Sequence, residues 1–181
     1  MNIIEQYYKQ IIRYDLINKF SYNDLKKIPK IKKIILNFGC KNSEIKSLST
    51  SLLALELITK RTKNRTLTNS KQPNIILKIR KGSPVGCKAI LKKENIYTFF
   101  LKILTEIIPN LKNFEGIKTK KNINIASFSF SLKELIAFKE LETHFYLFER
   151  LPTLNITIVT NTKTRKELLF LISSFKLILI S

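Results

Sequence analysis

Apolar residues return at helical spacing from the first positions of the chain. Ile4, Tyr8, Ile11 and Ile12 form a stripe that predicts an N-terminal helix. The following "IPKIKKIILNFG" is rich in β-branched residues and ends at Gly39, which predicts a strand with Lys33 and Asn37 on one parity and Leu36 and Phe38 on the other. Ile45, Leu48, Leu52 and Leu55 recur at turn spacing behind Ser43, a candidate N-cap, and predict a second helix ending near the basic "KRTKNR" at Lys60 to Arg65. "NIILKIRK" reads as a strand with Lys78 and Arg80 facing solvent and Leu77 and Ile79 facing the core. After "GSPVG" the alternation resumes, with Lys88 and Lys92 on one face and Ala89 and Leu91 on the other. Ile96, Phe99, Phe100, Ile103, Leu104, Ile107 and Ile108 give the strongest helical stripe, stopped by Pro109. Strand patterns return at "NINIASFSF" and "LNITIVT", and Leu168, Leu171, Ile172 and Phe175 predict a last helix. Helices and strands mix without a long linker or an internal repeat, so the expectation is one α+β domain over residues 1–181.

Scarce residues single out one stretch. The chain has four glycines and five prolines, yet Gly82, Pro84 and Gly86 fall together in "KIRKGSPVGCKAIL". Glycine accepts positive φ and proline pre-sets a turn, so the stretch is expected to reverse the backbone and bring cations from both flanks to one surface.

Charge turns this pattern towards a function. With 33 Lys+Arg against 13 Asp+Glu, the 181-residue chain carries a formal charge of +20, which favours a polyanionic partner, while 44% hydrophobic content supports a packed core. No apolar run reaches the length of about 18 residues that argues for a membrane span, and the apolar tail from Leu168 carries Lys176. Nucleic acid leads. Cys40 and Cys87 alone make no metal site and read as buried thiols, and His144, the lone histidine, reads as half-buried among aromatic residues. "GSPVGCK" lacks the spacing and the Lys-Ser/Thr ending of a phosphate-binding loop, and no nucleophile–base or carboxylate pair stands out. The expectation is binding without catalysis, and without metal or cofactor.

Five segments, "FSYNDLKKIPKIKKIILNFG" (Phe20 to Gly39), "LKIRKGSPVGCKAILKKE" (Leu77 to Glu94), "YTFF" (Tyr97 to Phe100), "PNLKNFEGI" (Pro109 to Ile117) and "LNITIVTNTK" (Leu154 to Lys163), resemble in order and spacing the large-subunit ribosomal protein five family, the 5S ribosomal RNA-binding proteins. The resemblance covers nearly the whole chain. It implies an antiparallel sheet of about five strands with helices packed on it, no enzymatic activity, and a place in the central protuberance beside other proteins there. In the family the first strand lies against 5S ribosomal RNA, which maps onto Lys30, Lys33, Asn37 and Gly39; Lys88 and Lys92, on the basic strand face, join this ribosomal RNA set. An asparagine amid apolar residues also serves as a strand-end or turn device.

The family's loop before "GSPVG" reaches the elbow of the peptidyl-site transfer RNA, and the matching basic positions are Lys71, Lys78, Arg80 and Lys81. Near "PNLKNFEGI" the family meets a small-subunit head protein, which makes Lys112, Asn113 and Phe114 intersubunit bridge candidates, with capping after the helix as the alternative. The chain departs from the family at Lys63 and Ile90, at positions associated with RNA contact. A glycine-rich family segment is replaced by "TKKNINIASF" (Thr119 to Phe128), and Phe-Pro-Glu-Ile by "FKEL" (Phe138 to Leu141).

Lysine heavily outnumbers arginine, and isoleucine and asparagine are abundant, as in AT-rich coding, and the N-terminal segment, with Glu5 and Asp15, lacks the acid-poor character of a transit peptide. The expected setting is therefore the ribosome of a mitochondrial matrix, with 5S ribosomal RNA or its replacement and large-subunit ribosomal RNA as partners; a plastid is the alternative. Two rival classes share the charge: a free-standing RNA-binding or ribosome-assembly factor, and a peripheral membrane protein. The latter lacks a helix with a dense Lys/Arg polar face.

Overall fold

The computed structural model describes residues 2–40, 45–60, 65–112, 114–118 and 124–180. Seven strands occur among them: β1 (Ile31–Gly39), β2 (Arg65–Asn69), β3 (Pro84–Leu91), β4 (Ile117–Lys118), β5 (Ser127–Leu132), β6 (Leu154–Thr160) and β7 (Leu179–Ile180). Five of them form an antiparallel sheet in the order β2-β3-β1-β6-β5, and β4 pairs in parallel with β7. Helices pack on the sheet, and the fold class is α+β as the sequence predicts. By contacts the residues gather into two units, one of Met1–Ile34, Lys92–Phe130 and Thr157–Ser181, the other of Ile35–Leu91 and Ser131–Ile156.

The first unit is built on long helices. Its N-terminal helix covers residues 3–20 and begins at Asn2, whose side chain accepts from the Ile4 amide at 3.2 Å. It is α-helical over Ile3–Tyr7, π-helical over Tyr8–Ile12 and α-helical again over Arg13–Phe20. The π turn decides which residues face inward. Ile4, Ile12 and Leu16 are buried while Ile11, expected in the stripe, is 45% exposed, because a wider turn rotates the following positions relative to an α-helical count. The second long helix, residues 94–110, has the same interruption at Ile103–Ile107 and buries Ile96, Phe99, Phe100, Ile103 and Ile107. The helix ends at Asn110, one residue past Pro109, where Leu111 turns extended, as expected of a proline that offers no amide for a further turn. Helix Arg165–Ser174 starts on a capping box in which Thr164 Oγ1 accepts from the Glu167 amide and the Glu167 carboxylate accepts from the Thr164 amide. Phe175, just past it, stacks on Tyr8 at 6.0 Å and packs on Phe100 at 5.1 Å.

In the second unit helix Ile45–Thr59 packs on β3, and the short helical turns Lys139–Glu142 and Phe145–Phe148 pack on that helix. Its buried residues are Leu48, Ser51, Ala54, Leu55, Ile58 and Thr59, whereas Ile45 is exposed; the predicted cap Ser43 lies outside the described residues. Cys40 and Cys87 are both buried free thiols, and burial pushes the Cys87 thiol up to about 12. His144 is exposed rather than half-buried.

The stretch around the glycines differs from its predicted form. "NIILKIRK" is not a strand: β2 is Arg65–Asn69, which pairs antiparallel with β3 from Arg65↔Ala89 to Asn69↔Pro84, and residues 70–83 form the end of this hairpin. Asn74 and Ile79 exchange both backbone hydrogen bonds at 2.9 Å, and Lys78 takes φ 52. Ile79 is buried as expected, but Leu77 is exposed. A run of isoleucines imitates a strand in sequence, and here it caps a tight turn.

Candidate nucleic-acid interface

Strand alternation places the candidate side chains on β1. Along this strand Ile34, Leu36 and Phe38 are buried, while Lys33, Ile35 and Asn37 are half-buried and Gly39 is exposed, so the predicted parity holds. On β3, Cys87, Ala89 and Leu91 are buried, leaving Lys88 and Ile90 on the opposite side, with Lys92 exposed just beyond the strand. The register pairs Thr66 with Lys88 and Thr68 with Gly86, which adds two hydroxyls to the lysine side of the hairpin.

Hydroxyls and amides also line the outward positions of β5 and β6. Ser131 donates to Asn155 Oδ1 at 2.7 Å in the second unit, and Ser129 and Thr157 share a 3.0 Å hydrogen bond in the first. Such groups bond phosphate and sugar oxygens. Sequence reading passed over them, although the alternation in "SFSFS" marks them.

Lys30 precedes β1 and is exposed, and its backbone is fixed from a distance in sequence. Asn161 Oδ1 accepts from the Lys30 amide at 2.6 Å and Asn161 Nδ2 donates to the Ile28 carbonyl at 3.1 Å. Asn161 is thus a positioning residue for the start of the strand.

Gly82 and Gly86 serve different ends. Gly82 has φ 84, the left-handed conformation expected of it, and its amide donates to the Ser70 carbonyl at 2.9 Å to close the base of the hairpin loop. Gly86 gives room instead: a Cβ there would stand 2.3 Å from the Phe38 carbonyl oxygen and 2.9 Å from Thr68 Oγ1. Lys71, Lys78, Arg80 and Lys81 are all exposed on the loop that these glycines shape.

Electrostatically these cations are uncommitted. Among the described residues, the ion pairs are Lys9 with Glu5 and Lys27 with Asp24 in the first unit, and Arg65 with Glu56 at 2.7 Å in the second. None engages a candidate lysine or arginine. Between Glu56 and Glu94 the sequence has no Asp or Glu at all, so the hairpin is cationic throughout. Free cations beside hydroxyls suit a phosphate backbone, where each contact releases a counterion.

Comparison with known proteins decides the family. The family model for the C-terminus of the ribosomal L5 family matches residues 84–178. Large ribosomal subunit protein uL5m of Reclinomonas americana is 37% identical over 179 residues, covering 98% of this chain and 97% of its own. The chain belongs to the ribosomal L5 family. Within that family, the uL5 proteins of Wigglesworthia glossinidia brevipalpis (34% over 171 residues, 93% of this chain and 94% of its own) and Malacoplasma penetrans (32% over 173 residues, 94% and 90%) are also similar. Membership makes the chain a structural, RNA-binding constituent of the large ribosomal subunit and not an enzyme.

The bridge candidates lie where the long helix 94–110 gives way to β4. Lys112 is exposed and Phe114 half-buried, whereas Asn113 lies outside the described residues, as do Lys63 and residues 119–123 of the departing segment. Among the described residues no helix is long and apolar enough to cross a membrane.

Proposed function

We propose that this L5-family protein works in the central protuberance of the large subunit of a mitochondrial ribosome, where it binds 5S ribosomal RNA or its replacement together with large-subunit ribosomal RNA. The contacts are Lys30, Lys33, Asn37 and Gly39 along β1 and Lys88 and Lys92 at β3. The exposed loop of the β2–β3 hairpin, through Lys71, Lys78, Arg80 and Lys81, touches the peptidyl-site transfer RNA. Lys112, Asn113 and Phe114 meet a protein of the small-subunit head, and residues 1–181 act as one ribosomal domain. The mitochondrial setting draws on the likeness to uL5m and on the lysine-, isoleucine- and asparagine-rich composition.

The observation that carries the RNA reading is the unpaired charge. The hairpin has no carboxylate, and among the described residues its candidate cations Lys71, Lys78, Arg80 and Lys81 make no ion pair, so it loses electrostatic repulsion when phosphates approach and sacrifices no ion pair of these four. The test replaces Lys78 and Arg80 by Gln in the full chain, assembled into large subunits. Two lost phosphate contacts reduce the slope of log affinity for transfer RNA against log salt by about 1.4 to 1.8, while the variant still sediments stoichiometrically with the subunit. An unchanged slope and transfer RNA lifetime would remove the hairpin from the contact set. Failure to co-sediment in the unsubstituted protein would remove the ribosomal placement altogether.

A further inference from the structure

The tip of the β2–β3 hairpin exposes three consecutive apolar side chains. Ile75 is 93% exposed, Ile76 91% and Leu77 43%. The turn that carries them is closed by its own hydrogen bonds: beyond the Asn74–Ile79 pair, the Lys78 amide donates to the Ile75 carbonyl at 3.1 Å and the Leu77 amide to Asn74 Oδ1 at 3.2 Å. Ile79 anchors the turn by its burial. Two isoleucines held outward on a hydrogen-bonded turn present apolar area to water with no compensation inside the chain.

Their surroundings limit what covers them. Lys71, Lys78, Arg80 and Lys81 flank the tip, and the arm holds no acidic side chain. Beside the turn lies an open cleft of about 470 Å³, with Lys71, Gln72, Pro73 and Asn74 on its wall. Cations at the flanks, amides at the side and an apolar top match a nucleotide chain, which offers phosphates, polar base edges and apolar base faces. A basic ribosomal protein would be repelled by the flanks. Two isoleucines fall short of the apolar area that holds a protein on a bilayer, where even one acyl chain binds only marginally.

We propose that Ile75 and Ile76 form an apolar platform for the face of an unstacked or helix-terminal nucleobase, while the flanking cations hold the adjoining phosphates. The assignment rests on the transfer RNA contact proposed above for this hairpin and adds to it a second, uncharged mode of recognition. Such a contact is insensitive to salt, unlike the phosphate contacts beside it.

The test compares Ile75→Ser/Ile76→Ser with Lys78→Gln/Arg80→Gln, each in the full chain within reconstituted large subunits, using deacylated transfer RNA as the probe over a salt series. The isoleucine pair is expected to release transfer RNA about tenfold faster at every salt concentration with an unchanged slope. Because both side chains are exposed, its thermal unfolding stays at the parent value. If the isoleucine pair leaves the lifetime unchanged while the cation pair flattens the slope, the platform is overturned and the hairpin contact stands. If neither variant has an effect, both fall. The chain has no tryptophan, so Ile76→Trp adds a single reporter. Quenching of its emission by transfer RNA supports stacking on a base. A blue shift without quenching, on transfer RNA-loaded subunits or on phosphatidylserine vesicles, assigns the tip to protein or lipid and overturns the proposal.

Discussion

Replacing Gly86 by Ala isolates the role of one missing methyl group. The added Cβ would lie 2.3 Å from the Phe38 carbonyl oxygen, against about 3.4 Å where ordinary contact begins, so β3 must retreat from β1 by about 1 Å. The obstacle is backbone on a neighbouring strand, and no side-chain rotation relieves it. The same retreat stretches the nearby Cys40 amide to Val85 carbonyl bond from 2.9 Å to beyond hydrogen-bonding range. Overpacking of this kind costs about 1–3 kcal/mol and the weakened hydrogen bond about 1 more. The gain from replacing a strand glycine offsets about 0.5–1 of that.

A net loss of about 2–3 kcal/mol lowers the melting temperature of a chain this long by about 4–12 °C. Circular dichroism melts at fixed ionic strength read it directly. Gly39→Ala is the control, because a Cβ at Gly39 meets nothing within 4 Å, and its melt should stay within about 2 °C of the parent. A Gly86→Ala melt as unperturbed as that control would refute the reasoning, since it would mean that the strands separate without loss.

Three further outcomes are expected. Asn37→Ala changes stability by no more than about 0.5 kcal/mol yet weakens ribosomal RNA binding about fivefold, the effect of losing one hydrogen bond of about 1 kcal/mol; a variant that unfolds early but keeps its RNA affinity contradicts the assignment. Asn161→Ala removes the bonds to the Lys30 amide and the Ile28 carbonyl and costs about 1–3 kcal/mol in urea unfolding, whereas a shift below about 0.5 kcal/mol would show that the start of β1 needs no bracket. Cys87, its thiol raised by burial to about 12, stays almost entirely protonated well below that pH. Iodoacetamide at about pH 8, near the ordinary thiol range, should therefore label Cys87 only as fast as the chain unfolds, and prompt native-state labelling would place the thiol at the surface.

How much the sequence reveals depends on whether local pattern and tertiary role agree. β1 and β6 are legible because Leu36 and Phe38, or Leu154, Ile156 and Ile158, are buried as their alternation requires. The same alternation made Lys33, Asn37 and Lys88 readable as outward-facing. The hairpin arm is not legible in that way. β2 is a five-residue strand of mostly polar residues, which carries little apolar signal, and the β-branched Ile75 and Ile76 outweigh the turn at Asn74–Ile79. The left-handed residue of that turn is Lys78 rather than a glycine, so the usual marker is missing. Asn161 escapes notice because the groups it holds lie more than a hundred residues away. Gly86 resembles a turn glycine until the proximity of Phe38 is known.

The π turns in the two long helices work as a vernier. In the N-terminal helix, positions 4, 8, 12 and 16 face inward at a constant step of four residues, and in the second helix positions 99, 103 and 107 do the same. On an ideal α-helix each step of four overshoots a full turn by about 40°, so three successive steps drift by about 120° and carry the last residue off the buried face. A five-residue turn near the middle absorbs much of that drift. The pitch of the apolar pattern and the pitch of the backbone are thereby kept in phase. A shorter helix, with one residue fewer at either turn and α-helical throughout, would present nearly the same inward face, so the phase of these helices is set by the core they cover rather than by a residue count.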